Sequence, residues 1–153
     1  MMEEIRRAVI RVVGDNFLLP VYGQTVPQGG KVPCFTVELK RVEQKRLLGR
    51  RVMRKAVFEV RYFCEEAEAK AAEVLEVTDE LYEILLIIGV NEKFAASGMA
   101  HEKTADGVKL TAEYEYHLIF DDEEAEMMGR LEYNGKEAVG YEEEGYIQQG
   151  TAE

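Results

Sequence analysis

The chain has few of the residues that build metal sites, disulfide frameworks or covalent catalytic sites. Its 153 residues include two cysteines, Cys34 and Cys64, and two histidines, His101 and His117. Two cysteines are too few for a disulfide framework or a cysteine-based zinc site, and no H-E-x-x-H motif occurs. Ser97 is the only serine, and neither it nor a cysteine has a nearby base that would activate it. We therefore expect no metal, no cofactor and no enzymatic activity.

Long apolar stretches and phosphate-binding loops are also missing. No apolar run approaches the roughly 20 residues that a helix needs to cross a bilayer. The opening MMEEIRRAVIRVVGD places acids ahead of bases and offers no small-residue cleavage site, so we expect neither a signal peptide nor a membrane partner. Neither a G-x-G-x-x-G nor a Walker loop occurs. Glu113 and Glu115 have the spacing of an acid/base pair, but on a half-solvated strand such carboxylates normally serve solubility.

Charge is plentiful and unevenly divided. The formal net charge is −11, yet residues 1–63 hold 13 Lys/Arg and 6 Asp/Glu, a net charge of +7. Residues 64–153 hold 6 Lys/Arg and 24 Asp/Glu, a net charge of −18. Such asymmetry is typical of charge-directed association. The alternative is that the two halves neutralise each other inside one folded subunit.

The order of the periodic segments predicts an α+β fold. Residues 2–13 have helical spacing at Ile5, Ala8, Val9 and Val12, and residues 65–88 form a longer helix. The apolar stripe of that longer helix is predicted to be Ala71, Leu75, Thr78, Leu81, Tyr82, Leu85 and Ile88. Strands are predicted near 20–25 and at 35–39, 55–63, 92–103 and 107–120. We expect an antiparallel sheet of about four strands, with two helices packed on one face and a long β-hairpin arm.

This α+β domain is expected to occupy residues 1–122, and the acidic Gly- and Glu-rich residues 123–153 are expected to form a C-terminal extension. Within the long hairpin, burial of one face requires odd positions of the first strand to share a face with even positions of the second. This register places Cys34 on the outer face and Cys64 on the core face, which predicts that they form no disulfide.

Residues 44–55, QKRLLGRRVMRK, are the most concentrated basic segment and are predicted to form the tip of this hairpin. Gly49 lies at the centre, where a turn most easily adopts a positive φ. The apolar residues of the segment are aliphatic, which suits a protein partner better than nucleic acid, whose bases stack on aromatic rings. A merely solvated hairpin is the alternative. The candidate interface residues are Lys45, Arg46, Leu47, Leu48, Arg50, Arg51 and Arg54.

Several motifs together resemble the tail terminator proteins of tailed phages and prophages from Gram-positive bacteria. They are PVYGQTVPQGGKVPCFTVELK, the basic turn into FEVRYF, ELYEILLIIGV and DGVKLTAEYEYHLIF, and with the first helix they cover about residues 2–122. The most specific pieces are Q-G-x-x-x-P-C-F before the hairpin and D-G-V with Y-x-Y-x-x-x-F in the last strand. These motifs are typical of the family's structure and include no catalytic residues.

The resemblance implies a non-enzymatic virion protein that assembles in the host cytoplasm as a homo-hexameric ring. Such a ring caps the tail tube, ends tube elongation and forms the surface that joins the head connector. The implied partners are the tail tube protein, the head connector or neck protein and, in contractile tails, the sheath protein. A neck or head–tail joining protein is the alternative within virion assembly, and a small-molecule-binding domain is the alternative from another class.

Head-to-tail packing in a ring requires two different surfaces of the subunit to meet, and the charge asymmetry suits this requirement. The basic hairpin is accordingly predicted to be an assembly arm that contacts a neighbouring subunit or the tube.

Overall fold

The computed structural model describes residues 1–23 and 25–120, which form two helices and one six-stranded sheet. The elements are α1 (Met2–Phe17), β1 (Val21–Tyr22), β2 (Cys34–Arg46), β3 (Arg51–Phe63), α2 (Ala71–Ile84), β4 (Ile87–Ile88), β5 (Phe94–Thr104) and β6 (Gly107–Ile119). The strand order in the sheet is β1-β2-β3-β6-β5-β4. Strand β1 pairs in parallel with β2, whereas β5 pairs antiparallel with both β6 and β4.

The predicted α+β class is therefore confirmed, but the predicted antiparallel sheet of about four strands is wrong. The sheet is mixed, because β1 runs parallel to β2. It has six strands because β1 and β4, with two residues each, add one strand to either edge. Two residues are too few to show an alternating pattern, so periodicity does not distinguish such strands from loops.

The chain divides into two compact units. The first comprises residues 1–44 and 54–116 and holds both helices. The second comprises residues 45–53 and 117–153, of which the structure describes 45–53 and 117–120. The predicted C-terminal extension, residues 123–153, lies outside the described residues, so the boundary between 1–122 and 123–153 stays a prediction.

Helix α1 is one turn longer than its apolar pattern predicts. Its buried residues are Ile5, Val9 and Val13, each one turn after the last. The helix does not end at residue 13, as its apolar spacing predicts, but runs on to Phe17 and is closed by Leu18, which has the left-handed φ of 56°. The Leu18 N–H donates to the Gly14 carbonyl at 2.9 Å, which satisfies a carbonyl that the helix end would otherwise leave free.

Helix α2 is shorter than the predicted 65–88. Glu66 has a φ of 55°, which is incompatible with a right-handed helix. At the other end, Ile87 and Ile88 leave the helix and pair with β5. The buried side chains of α2 are Val74, Thr78 and Leu81. The predicted stripe is thus correct at Thr78 and Leu81, and Leu85 and Ile88 are also buried, although both lie beyond the helix end. It is wrong at Ala71, which is exposed, and at Leu75, which is 60% exposed.

Aromatic contacts show that both helices reach the same face of the sheet. The rings of Phe35 and Tyr62 are 5.0 Å apart, and those of Phe58 and Tyr114 are 6.3 Å apart. Phe58 and Tyr62 lie on one face of β3, because alternate residues of a strand share a face. Phe17 of α1 contacts Phe35 at 4.8 Å, and the Tyr114 hydroxyl donates to the Leu85 carbonyl just after α2 at 2.6 Å.

The predicted pairing of odd positions in β2 with even positions in β3 is found in the first unit. Phe35 contacts Tyr62 on the core face. On the opposite face, the Nζ of Lys40 lies 3.7 Å from Oε1 of Glu59. Both cysteines are free thiols. Cys34, which was predicted on the outer face of the hairpin, is fully buried, and Cys64 is half-buried. Burial raises the pKa of each thiol.

Two buried tyrosines of β6 provide a matched test of this packing. Tyr114→Phe is expected to lower the free energy of unfolding by about 1–3 kcal/mol, because the buried Leu85 carbonyl then loses its donor. Tyr116→Phe removes a buried hydroxyl that finds no hydrogen-bond partner among the described residues, so it is expected to be neutral or stabilising. Urea denaturation of both variants measures the difference. Equal losses for the two would contradict the hydrogen bond from Tyr114.

Candidate functional site

The basic segment forms the predicted hairpin tip. Strand β2 ends at Arg46 and β3 begins at Arg51. The Leu47 N–H donates to the Arg51 carbonyl at 3.0 Å, which closes the turn. Gly49 has a φ of 73°, which confirms the reason for a glycine at this position. We call residues 45–53, which lie in the second compact unit, the basic arm.

The pairing of Leu47 with Arg51 divides the side chains of the basic arm between two faces. Because successive residues of a strand point to opposite faces, Lys45, Leu47 and Arg51 share one face. Val52 points to the other face and is 1% exposed. Leu48, in the turn itself, is 87% exposed. The arm therefore carries an exposed leucine beside exposed cations.

The end of β6 also reaches the turn. The Phe120 N–H donates to the Arg50 carbonyl at 2.9 Å, and both residues belong to the second unit. Sequence reasoning predicted the strand over residues 107–120 but not this partner. The bond fixes one carbonyl of the turn and restrains the backbone that carries the basic side chains.

The candidate interface residues differ in exposure and in the partners they already have. Leu47 and Arg54 are half-buried, and the other five are exposed: Lys45, Arg46, Leu48, Arg50 and Arg51. In the first unit, Arg54 donates its Nε–H to Oε1 of Gln44 at 2.6 Å, so its guanidinium braces the hairpin. Arg46 and Arg50 each take part in an existing interaction as well. We therefore choose Lys45 and Arg51, which are both exposed, as the cations best placed to contact an external partner.

The outer face of α2 carries charge of the opposite sign. Helix α2 holds five exposed carboxylates and no Lys or Arg: Glu73, Glu76, Asp79, Glu80 and Glu83. Glu80 accepts a hydrogen bond from Nδ2 of Asn16 at 3.0 Å. Leu75, which the sequence pattern placed in the core, lies among these acids and is 60% exposed. The sequence contained a signal for this exposure. Val74 lies four residues before the buried Thr78, so Val74 rather than Leu75 continues the buried side of the helix.

Comparison with known families gives a match that covers most of the chain. A family described as "Phage tail terminator protein" matches the chain over residues 4–126. The matched range includes α1 from its third residue onward. It also includes all of α2, the six strands and the basic arm. The chain belongs to the phage tail terminator protein family. No curated protein shows a significant match to the chain.

Membership confirms the family that the sequence motifs indicated. It gives this tail terminator family member a structural role in the phage tail, a place in the virion and interactions with other tail or neck proteins. The family match also covers the basic arm without assigning a role to any of its residues.

Other concave or polar features of this family member offer no metal cluster. Among the described residues, no group of three or more His, Cys, Asp or Glu side chains could hold a metal ion.

A cavity of about 530 Å³ lies between α1 and residues 87–94. Its lining carries both positive and negative charge, with Arg7, Arg11 and Glu92 among the residues. The hydroxyl of Tyr82 lies 2.7 Å from Nδ1 of His101, which gives that histidine a structural partner. No helix in the described part of the chain is long and apolar enough to cross a membrane.

Proposed function

We propose that the protein caps the phage tail tube as a homo-hexameric ring, ends tube elongation and forms the surface that joins the head connector. Its partners in this role are the tail tube protein, the head connector or neck protein and, in a contractile tail, the sheath protein. The family match over residues 4–126 carries this proposal, because it spans all but the first two residues of α1 and every other helix and strand described. The ring acts by contact alone, without enzymatic chemistry, and assembles in the host cytoplasm before it enters the virion.

The basic arm serves as the assembly arm of the ring. Lys45, Leu48 and Arg51 of the basic arm are exposed, so their side chains can contact other subunits. Residues 40–46 of β2 are all exposed, which is typical of a strand that contributes little to a monomer core. A single exposed ion pair contributes only about 0–1 kcal/mol, but a closed ring repeats each contact at every subunit interface.

Removal of the gene tests the capping role. Particles assembled without this protein are expected to carry tails longer than normal, because nothing stops the addition of tube subunits. Electron microscopy of particles from the deletion and from a complemented strain measures the distribution of tail lengths. Normal-length tails that fail to attach to heads would contradict length control and indicate the head–tail joining role instead.

A further inference from the structure

The outer side of α2 carries an exposed leucine among carboxylates. Leu75 is 60% exposed, and Leu86, two residues after the helix ends at Ile84, is 51% exposed. Asp79 lies four residues after Leu75, so these two side chains share one side of the helix. Glu76 and Glu83 flank these two side chains. We call Leu75, Glu76, Asp79 and Glu83 the α2 strip.

The carboxylates of the α2 strip have no ion-pair partner among the residues that the structure describes. Within residues 1–23 and 25–120, Glu76, Asp79 and Glu83 take part in no ion pair or side-chain hydrogen bond. Like charges spaced three or four residues apart on a helix repel one another. A cationic partner would therefore relieve this repulsion and at the same time cover the exposed Leu75.

The tip of the basic arm has the complementary composition. Leu48 is 87% exposed, and Lys45 and Arg51 present exposed cations on the same hairpin. An exposed leucine among cations matches an exposed leucine among carboxylates, both in polarity and in charge sign. A polyanion such as nucleic acid would match the arm but not the acidic strip, so it cannot cover both surfaces.

We propose that the basic arm of one subunit docks on the α2 strip of the next copy of the chain, with Leu48 packed against Leu75. The inference rests on the proposed ring, because a ring requires each subunit to offer two different surfaces that fit together. In this arrangement Lys45 and Arg51 of one copy face Glu76, Asp79 and Glu83 of the next. The contact is heterologous, and in it the arm binds a second copy of the chain rather than the tube.

Cross-linking between two single-cysteine variants tests which copy receives the arm. Leu48→Cys and Leu75→Cys are made in separate chains, one of them with an affinity tag, mixed and treated with a short thiol–thiol cross-linker. The tagged–untagged heterodimer is expected to be at least tenfold more abundant than in a mixture of Leu48→Cys with Lys103→Cys, an exposed site on β5. The parent protein, treated identically, measures the background from Cys34 and Cys64.

Charge exchange provides the second test. Glu76→Lys with Glu83→Lys is expected to abolish hexamers in native mass spectrometry, and Lys45→Glu with Arg51→Glu on the same chain is expected to restore them. Failure of this restoration, or equal cross-linking at Leu75 and Lys103, would overturn the docking inference. If rings and tail lengths are normal while Leu75 does not cross-link, the docking inference fails and the capping function stands. If the parent forms no ring at all, the proposed function fails first.

Discussion

Phe58→Ala is expected to lower the free energy of unfolding by about 3–5 kcal/mol. The Phe58 side chain is fully buried on central strand β3, and its ring packs against that of Tyr114 at a centroid distance of 6.3 Å. Truncation removes this apolar surface and leaves a cavity that neighbouring strands cannot fill. A domain of this size has a total stability of about 5–15 kcal/mol, so the variant is expected to lose a large share of its stability. Urea and thermal denaturation measure the loss.

Phe63→Ala is the matched control on the same strand. Phe63 is half-buried, and its ring centroid lies 5.3 Å from the Arg61 guanidinium carbon. A cation–π contact at a partly exposed site contributes about 0.5–1 kcal/mol, so this truncation is expected to cost far less. Similar losses for Phe58→Ala and Phe63→Ala would contradict the placement of Phe58 at the centre of the core.

The strands with one buried face could be predicted from the sequence. Strand β6 lies within the predicted 107–120, and its residues Leu110, Ala112, Tyr114 and Tyr116 alternate with polar residues and are buried. The turn between β5 and β6 falls in the gap between the predicted strands 92–103 and 107–120. Alternation was informative here because one face of the strand packs on the helices and the other is at least partly solvated.

The ends of α2 could not be predicted from the same kind of pattern. The run LLIIGV continues the apolar spacing of the helix, yet Ile87 and Ile88 pair with β5. A short apolar run fits a helix or a strand equally well, and its long-range partner decides between them. Ile87 pairs with Ala95 and Ile88 with Phe94, and the residues around Ile87 do not predict this pairing.

The length of the basic hairpin was underestimated for a related reason. Strands β2 and β3 each have 13 residues, whereas the predicted strands covered 35–39 and 55–63. From residue 40 to the end of β2 every side chain is exposed, so hydrophobic alternation is absent even though the backbone remains a strand. Gly49 and the charge pattern correctly indicated the turn. The partners Gln44 for Arg54 and Phe120 for Arg50 depend on strand register, which composition does not encode.

Reversal of two arm charges is expected to abolish ring assembly without unfolding the subunit. Lys45→Glu with Arg51→Glu changes two exposed side chains that share one face of the basic arm, and it leaves the Arg54–Gln44 bond and the Phe120–Arg50 bond in place. Surface substitutions of this kind change stability by about 0.5 kcal/mol or less. In the ring, each reversed side chain would face repulsion instead of attraction at every interface, and tails are expected to be overlong. Circular dichroism, native mass spectrometry and tail-length measurement report the three properties separately.

Lys93→Glu with Lys103→Glu is the control for net charge, since it makes the same change at two exposed positions outside the arm. This control variant is expected to form hexamers and tails of normal length. Rings of the parent protein are expected to weaken as salt rises, because the Debye length falls from about 10 Å at 0.1 M to about 3 Å at 1 M and exposed charge pairs are screened more strongly. If the arm variant instead forms salt-stable rings and caps tails at the normal length, the basic arm is only a solvated turn and assembly depends on another surface.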